Sequence, residues 1–274
     1  MLPHGIMCRM GRFRTEHYKI ISAKIKEPVR IVFVSDVHDT VYEPDNEPVV
    51  EAVRQNHPDA VLIGGDLIVA NPSIRKGRAG DDSWKTEAVS LVRRFSAEFP
   101  VYIADGNHEV TIREEAGAMY DSLMRDYREA GAVLLHNERT CFHGMDLWGY
   151  SHAYEHYEKF VRNPLTLPEM REDLGEPDRE RFQLVLAHNP KFFPVYAAWG
   201  ADLVLAGHIH GGIIRVGNRG IFSPDYRLFP RYSAGLVKEN DAEMIVSRGL
   251  GTHTIRLRIN DPAELSVAEF APPG

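Results

Sequence analysis

Cysteine is almost missing from this chain of 274 residues, which carries only Cys8 and Cys141, far apart in sequence. So sparse a pair excludes a disulfide framework and points to a reduced, cytoplasmic setting. Long apolar runs are missing too, and none approaches the ~20 residues a membrane-spanning helix needs. The first fourteen residues hold Arg9, Arg12 and Arg14 but no continuous apolar stretch of a signal peptide. Leu2, Ile6, Met7, Met10 and Phe13 leave peripheral contact with a membrane surface open, against the plainer reading of a docked or frayed terminus. A basic excess is also absent. With 39 acidic against 32 basic residues the formal net charge is −7, which argues against a nucleic-acid binder. No repeat, low-complexity tract or linker interrupts the chain, so one domain is expected over residues 1–274.

What is present is an ordinary globular composition, 43% hydrophobic and 26% charged, on a chain long enough for a large core. The organising stretch is Leu203-Val204-Leu205-Ala206-Gly207-His208-Ile209-His210-Gly211-Gly212. A short apolar run reads as a buried strand, and here it ends in a glycine followed by two imidazoles one residue apart. Four other segments share that design. Val29 to Ser35 runs into Asp36-Val37-His38, and Ala60 to Gly65 into Asp66. Val101 to Ala104 runs into Asp105-Gly106-Asn107-His108-Glu109, and Leu184 to Ala187 into His188-Asn189-Pro190.

Helical spacing appears between these strands, over 48–55, from Ala88 to Phe99, and from Met119 to Ala130 ahead of Gly131. Alternating strands and helices predict an α/β sheet, whose ligands sit beyond the carboxyl ends of its strands. All five polar clusters fall there. A further strand is expected over 17–25. In the last third, segments 213–216, 244–247, 255–259 and 265–270 read as strands of a second, more antiparallel sheet packed on the first. Residues 151–181, with two histidines, three prolines and a charged run, fit the sandwich poorly and read as a lid or substrate-recognition insertion, or simply as surface.

Collected, the strand-end residues are Asp36, His38, Asp66, Asn107, His188, His208 and His210. Any one of them reads as a capped turn or a core histidine, but all of them at strand ends form a set. That many oxygen and nitrogen donors exceed what one four-coordinate zinc takes. They suit two divalent ions about 3.5–4 Å apart with one carboxylate bridging, a pair that makes hydroxide from water near neutral pH and clamps a phosphoryl oxygen for in-line attack. Without a thiolate, manganese, iron and zinc all fit. His108, next to Asn107, stands ready to protonate a departing alkoxide, with Glu109 expected to orient it.

Ser35-Asp36-Val37-His38, Gly65-Asp66, Gly106-Asn107-His108-Glu109, Ala187-His188 and Gly207-His208-Ile209-His210 resemble, in that order, the five blocks of calcineurin-like metallophosphoesterases. Gly211-Gly212 and Ser247-Arg248-Gly249-Leu250-Gly251 resemble the branch of small phosphodiesterases and UDP-diacylglucosamine pyrophosphatase-like enzymes. The resemblance implies a four-layer αββα sandwich of two mixed sheets flanked by helices. It implies that Asp36, His38, Asp66 and His210 hold one ion, and that Asp66, Asn107, His188 and His208 hold the other. His108 would be the catalytic acid.

The expected activity is hydrolysis of a phosphodiester or pyrophosphate in a small-molecule substrate. Phosphomonoesterase or phosphoprotein phosphatase activity is the alternative, and a non-catalytic metal-binding scaffold a lesser one. His152, Arg248 and His253 are candidate substrate contacts, set against plainer readings as lid residues and a salt bridge.

Overall fold

A computed structural model describes residues 12–158, 163–217, 219–223, 228–252 and 257–274. The first half runs β1 (Phe13–Ile21), β2 (Val29–Val34), α1 (Glu47–Gln55), β3 (Ala60–Ile63), α2 (Pro72–Arg75), α3 (Thr86–Ser96), β4 (Val101–Ile103), α4 (Asn107–Glu115), α5 (Gly117–Glu129) and β5 (Val133–Leu134). Then follow β6 (Glu138–Phe142), β7 (Met145–Tyr150), α6 (Leu167–Leu174), β8 (Gln183–Ala187), α7 (Phe193–Trp199), β9 (Leu203–Ala206), β10 (Arg215–Val216), β11 (Arg219–Gly220), β12 (Gly235–Glu239), β13 (Ala242–Val246) and β14 (Ala263–Ala271). Among the described residues no helix is long and apolar enough to cross a membrane.

Two six-stranded mixed sheets result, in the orders β1-β14-β2-β3-β4-β5 and β12-β13-β9-β8-β7-β6. Strand alternation sends successive side chains to opposite faces, so each sheet builds two cores. From β2, Ile31 and Phe33 enter the layer between the sheets, meeting Leu147, Leu184, Leu186, Leu205 and Phe270. Val32 and Val34 face the other way, onto Val49 and Val53 of α1, Val92 and Phe95 of α3, and Tyr127 of α5. On the far sheet Val185, Val204 and Met244 pack under Met170 of α6 and under Tyr196 and Trp199 of α7. The molecule is therefore a helix–sheet–sheet–helix sandwich, as the resemblance implied. Truncating any of these fully buried leucines to alanine costs about 2–5 kcal/mol.

The division of strands between the sheets differs from expectation. β8 and β9, read with the first sheet, lie in the second, because β7, a strand with no polar alternation, offers β8 a parallel edge on its other side. Segment 265–270 lies within β14, which inserts into the first sheet, parallel to β1 and antiparallel to β2. Segment 244–247 overlaps β13, parallel to β9 in the second sheet. Residues 215–216 form only the small β10–β11 hairpin; of 255–259, residues 255 and 256 lie outside the described residues and Ile259 makes an isolated bridge with Ile214. β1 ends at Ile21 rather than 25, where the Ile25 N–H donates to the Ser22 carbonyl at 3.1 Å and the chain turns. The three expected helices are present as α1, α3 and α5.

Candidate metal centre

Parallel pairing positions the first two clusters. Val34 lies opposite Ile63, so the chain beyond β2 runs beside the chain beyond β3. There the Asp36 N–H donates to the Gly65 carbonyl at 3.1 Å and the His38 N–H to the Asp66 carbonyl at 3.0 Å. In the second sheet the Gly207 N–H donates to the His188 carbonyl at 3.1 Å. Asp36, His38, Asp66, His208 and His210 all adopt left-handed backbone conformations, with φ of 53°, 50°, 56°, 69° and 49°. Non-glycine residues hold that region at a cost of roughly 1–3 kcal/mol each, and such strain gathers where side chains must be aimed. Close approach dictates two glycines. A Cβ on Gly207 would sit 2.1 Å from Asp36 Oδ2, and one on Gly106 2.3 Å from Asp66 Oδ1.

Both carboxylates are buried, Asp36 at 0% and Asp66 at 1% exposure. Asp36 accepts from the Ser35 hydroxyl and from the His208 N–H at 3.0 Å; Asp66 Oδ1 accepts from the His108 N–H at 2.8 Å. Around them imidazoles converge. Asp36 Oδ1 lies 3.4 Å from His210 Nε2, 3.7 Å from His38 Nε2 and 3.8 Å from His188 Nε2. Asp66 Oδ2 lies 3.3 Å from His188 Nε2 and 3.7 Å from His38 Nε2. Among the described residues three interlocking triads follow: Asp36/His38/His210, His38/Asp66/His108 and Asp36/Asp66/His188, each with ligand atoms within 4.8 Å of one another.

Hydrogen-bond direction says what this set is suited to hold. His188 Nδ1 lies 2.7 Å from the Gly64 carbonyl and His210 Nδ1 3.2 Å from the Gly251 carbonyl. A carbonyl only accepts, so each Nδ1 carries the proton and each neutral ring turns a bare Nε2 lone pair toward a carboxylate. Lone pairs facing anions need a cation between them. In the ion-free chain a proton stands in at His188. Burial opposes charging that ring, but Asp66 and Asp36 overcome it and push its pKa up to about 10. At His210 burial wins, and its pKa falls to about 3. Burial would raise Asp36 and Asp66, yet the surrounding imidazoles hold both carboxyls below the usual range.

Asn107 opens α4, and its amide atom facing the centre lies 2.7 Å from His208 Nδ1, 3.1 Å from Asp66 Oδ2 and 3.3 Å from His188 Nε2. An amide nitrogen in that place donates to Asp66 and His208; beside a cation the oxygen would turn there instead. The donor set thus fits divalent metal ions.

His108 lies next along α4 and is buried. Its Nδ1 accepts from the Ala70 N–H at 2.9 Å, which puts the ring's own proton on Nε2. Burial lowers its pKa to about 4, so the ring is neutral near pH 7. Glu109 does not orient it, contrary to expectation. As the third residue of α4 it turns back to the backbone, accepting from Asp66 N at 2.8 Å, Gly106 N at 3.0 Å and Leu67 N at 3.2 Å.

The expected substrate contacts fare differently. His152 is fully buried, with Nε2 2.6 Å from the Tyr196 hydroxyl and Nδ1 3.1 Å from the Tyr157 hydroxyl, so it cannot itself reach a substrate. Arg248 lies 3.5 Å from Glu264 and 3.8 Å from Asp261, both buried, and takes the salt-bridge reading. His253 lies outside the described residues. Tyr157, which no motif marks, does reach the centre: its ring lies 5.5 Å from that of His208 and 6.3 Å from that of His188.

Known proteins resemble this chain in sequence. An uncharacterized protein of Bacillus subtilis, YpbG, is 26% identical over 271 residues, covering 96% of this chain and 89% of its own length. Phosphodiesterase YaeI of Escherichia coli is 25% identical over 269 residues, covering 96% and 90%. An uncharacterized metallophosphoesterase of Helicobacter pylori is 26% identical over 268 residues, and the chain spans 65% of that relative's length. The family model described as calcineurin-like phosphoesterase matches residues 29–212, more than half of the sequence and every strand-end cluster described above, and the chain belongs to that family.

Proposed function

We propose that this chain is a metal-dependent phosphoesterase that hydrolyses a phosphodiester or pyrophosphate bond of a small molecule, with His108 as general acid. The observation that carries the reading is the pair of carbonyl-locked imidazoles, His188 and His210, aiming Nε2 at Asp66 and Asp36 over 3.3 and 3.4 Å. Asp36, His38, Asp66 and His210 would hold one divalent ion, and Asp66, Asn107, His188 and His208 the other; manganese, iron and zinc all suit these donors. When bound, such a pair supplies a nucleophile from water at neutral pH and charge to neutralise a phosphoryl oxygen.

The protein's own groups do the rest. Asp36 and Asp66 lose water's screening by burial, so they hold positive charge firmly. The Ala70 N–H keeps the His108 proton on Nε2, the atom that would pass it to the departing alkoxide. Loss of that proton from the neutral ring would leave an imidazolate, which the Ala70 N–H at Nδ1 would stabilise as negative charge moves off the leaving oxygen. Residues 151–181 would bound the substrate through Tyr157. The diester preference draws on the named activity of the Escherichia coli relative. The exposed thiol of Cys141 accords with a reducing, cytoplasmic setting.

The test uses protein reconstituted with Mn²⁺ against bis(p-nitrophenyl) phosphate, the corresponding monoester and a dialkyl diester, whose cleavage expels an alkoxide. Metal-dependent turnover with the diester ahead of the monoester is expected. His108→Ala should lose about 10²- to 10⁴-fold in kcat when an alkoxide leaves, and less when p-nitrophenolate leaves, since that group departs without a proton. No metal-dependent turnover, or equal losses on both leaving groups, rejects the assignment.

A further inference from the structure

The stretch Ser247-Arg248-Gly249-Leu250-Gly251 stands out in the sequence, yet the proposed chemistry gives it no task. It leaves β13 and runs beneath the centre. The Leu250 N–H donates to the Ser35 carbonyl at 3.1 Å, and the Gly251 N–H to the Asp36 carbonyl at 2.6 Å. The Gly251 carbonyl is the acceptor that fixes His210 Nδ1.

One side chain grips this stretch from behind. Arg258 Nη2 donates to the carbonyls of Gly251 at 2.6 Å, Arg248 at 2.7 Å and Gly249 at 3.1 Å. Its guanidinium is 8% exposed and pairs with the buried carboxylate of Asp261 at 3.4 Å. Asp261 also lies against the turn that follows His210, because a Cβ on Gly211 would fall 2.0 Å from its Oδ1. Buried Arg215 donates to the Gly211 carbonyl at 2.6 Å. A single ionic cluster of Arg215, Arg258 and Asp261, bordered by Arg248 and Glu264, thus touches both loops flanking His210. Burying such groups is a poor way to gain stability, since apolar residues of similar volume often do as well or better. Placement is what the arrangement supplies.

We propose that Arg258, anchored by Asp261, is a positioning residue that fixes the Gly251 carbonyl and through it the Nδ1–H tautomer and ring orientation of His210. A metal-binding imidazole needs that outer acceptor to keep its other nitrogen bare. Lysine cannot reproduce the grip, because a point-like ammonium lacks the second arm by which Nη1 holds Asp261 at 3.4 Å while Nη2 meets the carbonyls. The consequence for ion affinity rests on the proposed metal centre; the consequence for the tautomer does not.

The experiment is long-range ¹H–¹⁵N NMR of histidine-labelled, ion-free protein at neutral pH, with His210→Gln to assign the signal, followed by Mn²⁺ titration. In the wild type His210 is expected wholly as Nδ1–H. In Arg258→Gln it should become a mixture of tautomers, with Mn²⁺ affinity down about 10- to 100-fold and Arg258→Lys intermediate. If Arg258→Gln fails to fold, Arg258→Lys carries the same readouts. A pure Nδ1–H signal and wild-type affinity in a folded Arg258 variant overturn the proposal. A tautomer shift in the variant with no Mn²⁺ binding by either protein upholds the positioning role and sinks the metal centre instead.

Discussion

The carboxylate of Glu109 accepts the backbone N–H of Asp66 at 2.8 Å, so a side chain in the third cluster holds the loop of the second. The same carboxylate takes the N–H groups of Gly106 and Leu67. It is 1% exposed, and Asp66 needs the support because its backbone sits at φ 56°. Glu109→Gln sets an amide NH₂ against backbone donors and leaves at least one of them unmet, at about 1–3 kcal/mol. The expected result is a lower urea midpoint in ion-free protein together with weaker Mn²⁺ binding, because the disturbed loop carries Asp66. A variant that loses stability while binding Mn²⁺ as the wild type does would limit Glu109 to a fold role.

Ion binding should register as stability. A cation that binds only the folded chain adds about 4 kcal/mol when present at a thousand times its Kd, and about 1.4 kcal/mol more for each further tenfold. Thermal melts across a Mn²⁺ series should therefore show Tm rising without a plateau, and excess chelator should return it to the ion-free value. Asp66→Asn removes the carboxylate common to two of the three triads, so its Tm should stay flat across the series. A flat series for the wild type contradicts the metal centre.

What the sequence revealed and what it concealed follow from how far each signal reaches along the chain. Asp36-Val37-His38 and Gly207-His208-Ile209-His210 each follow a strand directly, so one local pattern marks both the element and its cargo. Sheet membership has no such mark. The alternation of β14 fits a partner in either sheet, and β7 shows no alternation because both of its faces are buried. α4 escaped notice for a related reason: it begins inside the Asn107-His108-Glu109 cluster and spends its third residue on backbone outside the helix. Tyr157 meets the centre by its ring beside His188 and His208, and Arg258 by carbonyls seven to ten residues back, and no spacing in the sequence announces either.

Asp105 makes the acid limb of stability specific. It is buried, and burial alone would raise its pKa. Contacts with His136 Nδ1 at 2.9 Å, the Ser151 hydroxyl at 2.8 Å, the Tyr120 hydroxyl at 2.9 Å and Arg113 at 3.2 Å accompany a net shift below the ordinary carboxylate value. A carboxyl whose pKa is lower folded than unfolded binds fewer protons in the folded state. Its contribution is therefore complete above about pH 4 and fades as pH drops through the folded value. Asp105→Asn should be less stable than wild type near pH 7, and the two Tm curves should approach each other below about pH 4. Curves that stay parallel down to the acid transition would show that the asparagine lost packing alone.

The direction of its hydrogen bonds ties His152 to Tyr157. The Asn189 carbonyl can only accept, so the Tyr196 hydroxyl donates to it at 2.8 Å. His152 must then give its Nε2 proton to the Tyr196 oxygen, leaving Nδ1 to accept from Tyr157. Burial keeps this imidazole neutral by lowering its pKa well below the usual value, so acid does not readily break the chain. Tyr157 is thereby tied to the residue next to His188, beside His208. His152→Leu cuts that tie and leaves two hydroxyls short of a partner, costing about 1–3 kcal/mol of stability. In the Mn²⁺-loaded protein its KM should rise about tenfold, equal to ~1.4 kcal/mol of lost substrate binding, with bound metal unchanged. Tyr157→Phe should reproduce the KM change with a smaller stability loss, because it leaves only the buried His152 Nδ1 without a donor. A His152→Leu enzyme with raised KM beside a Tyr157→Phe enzyme with wild-type KM would show that His152 supports the substrate side by some route other than this tyrosine.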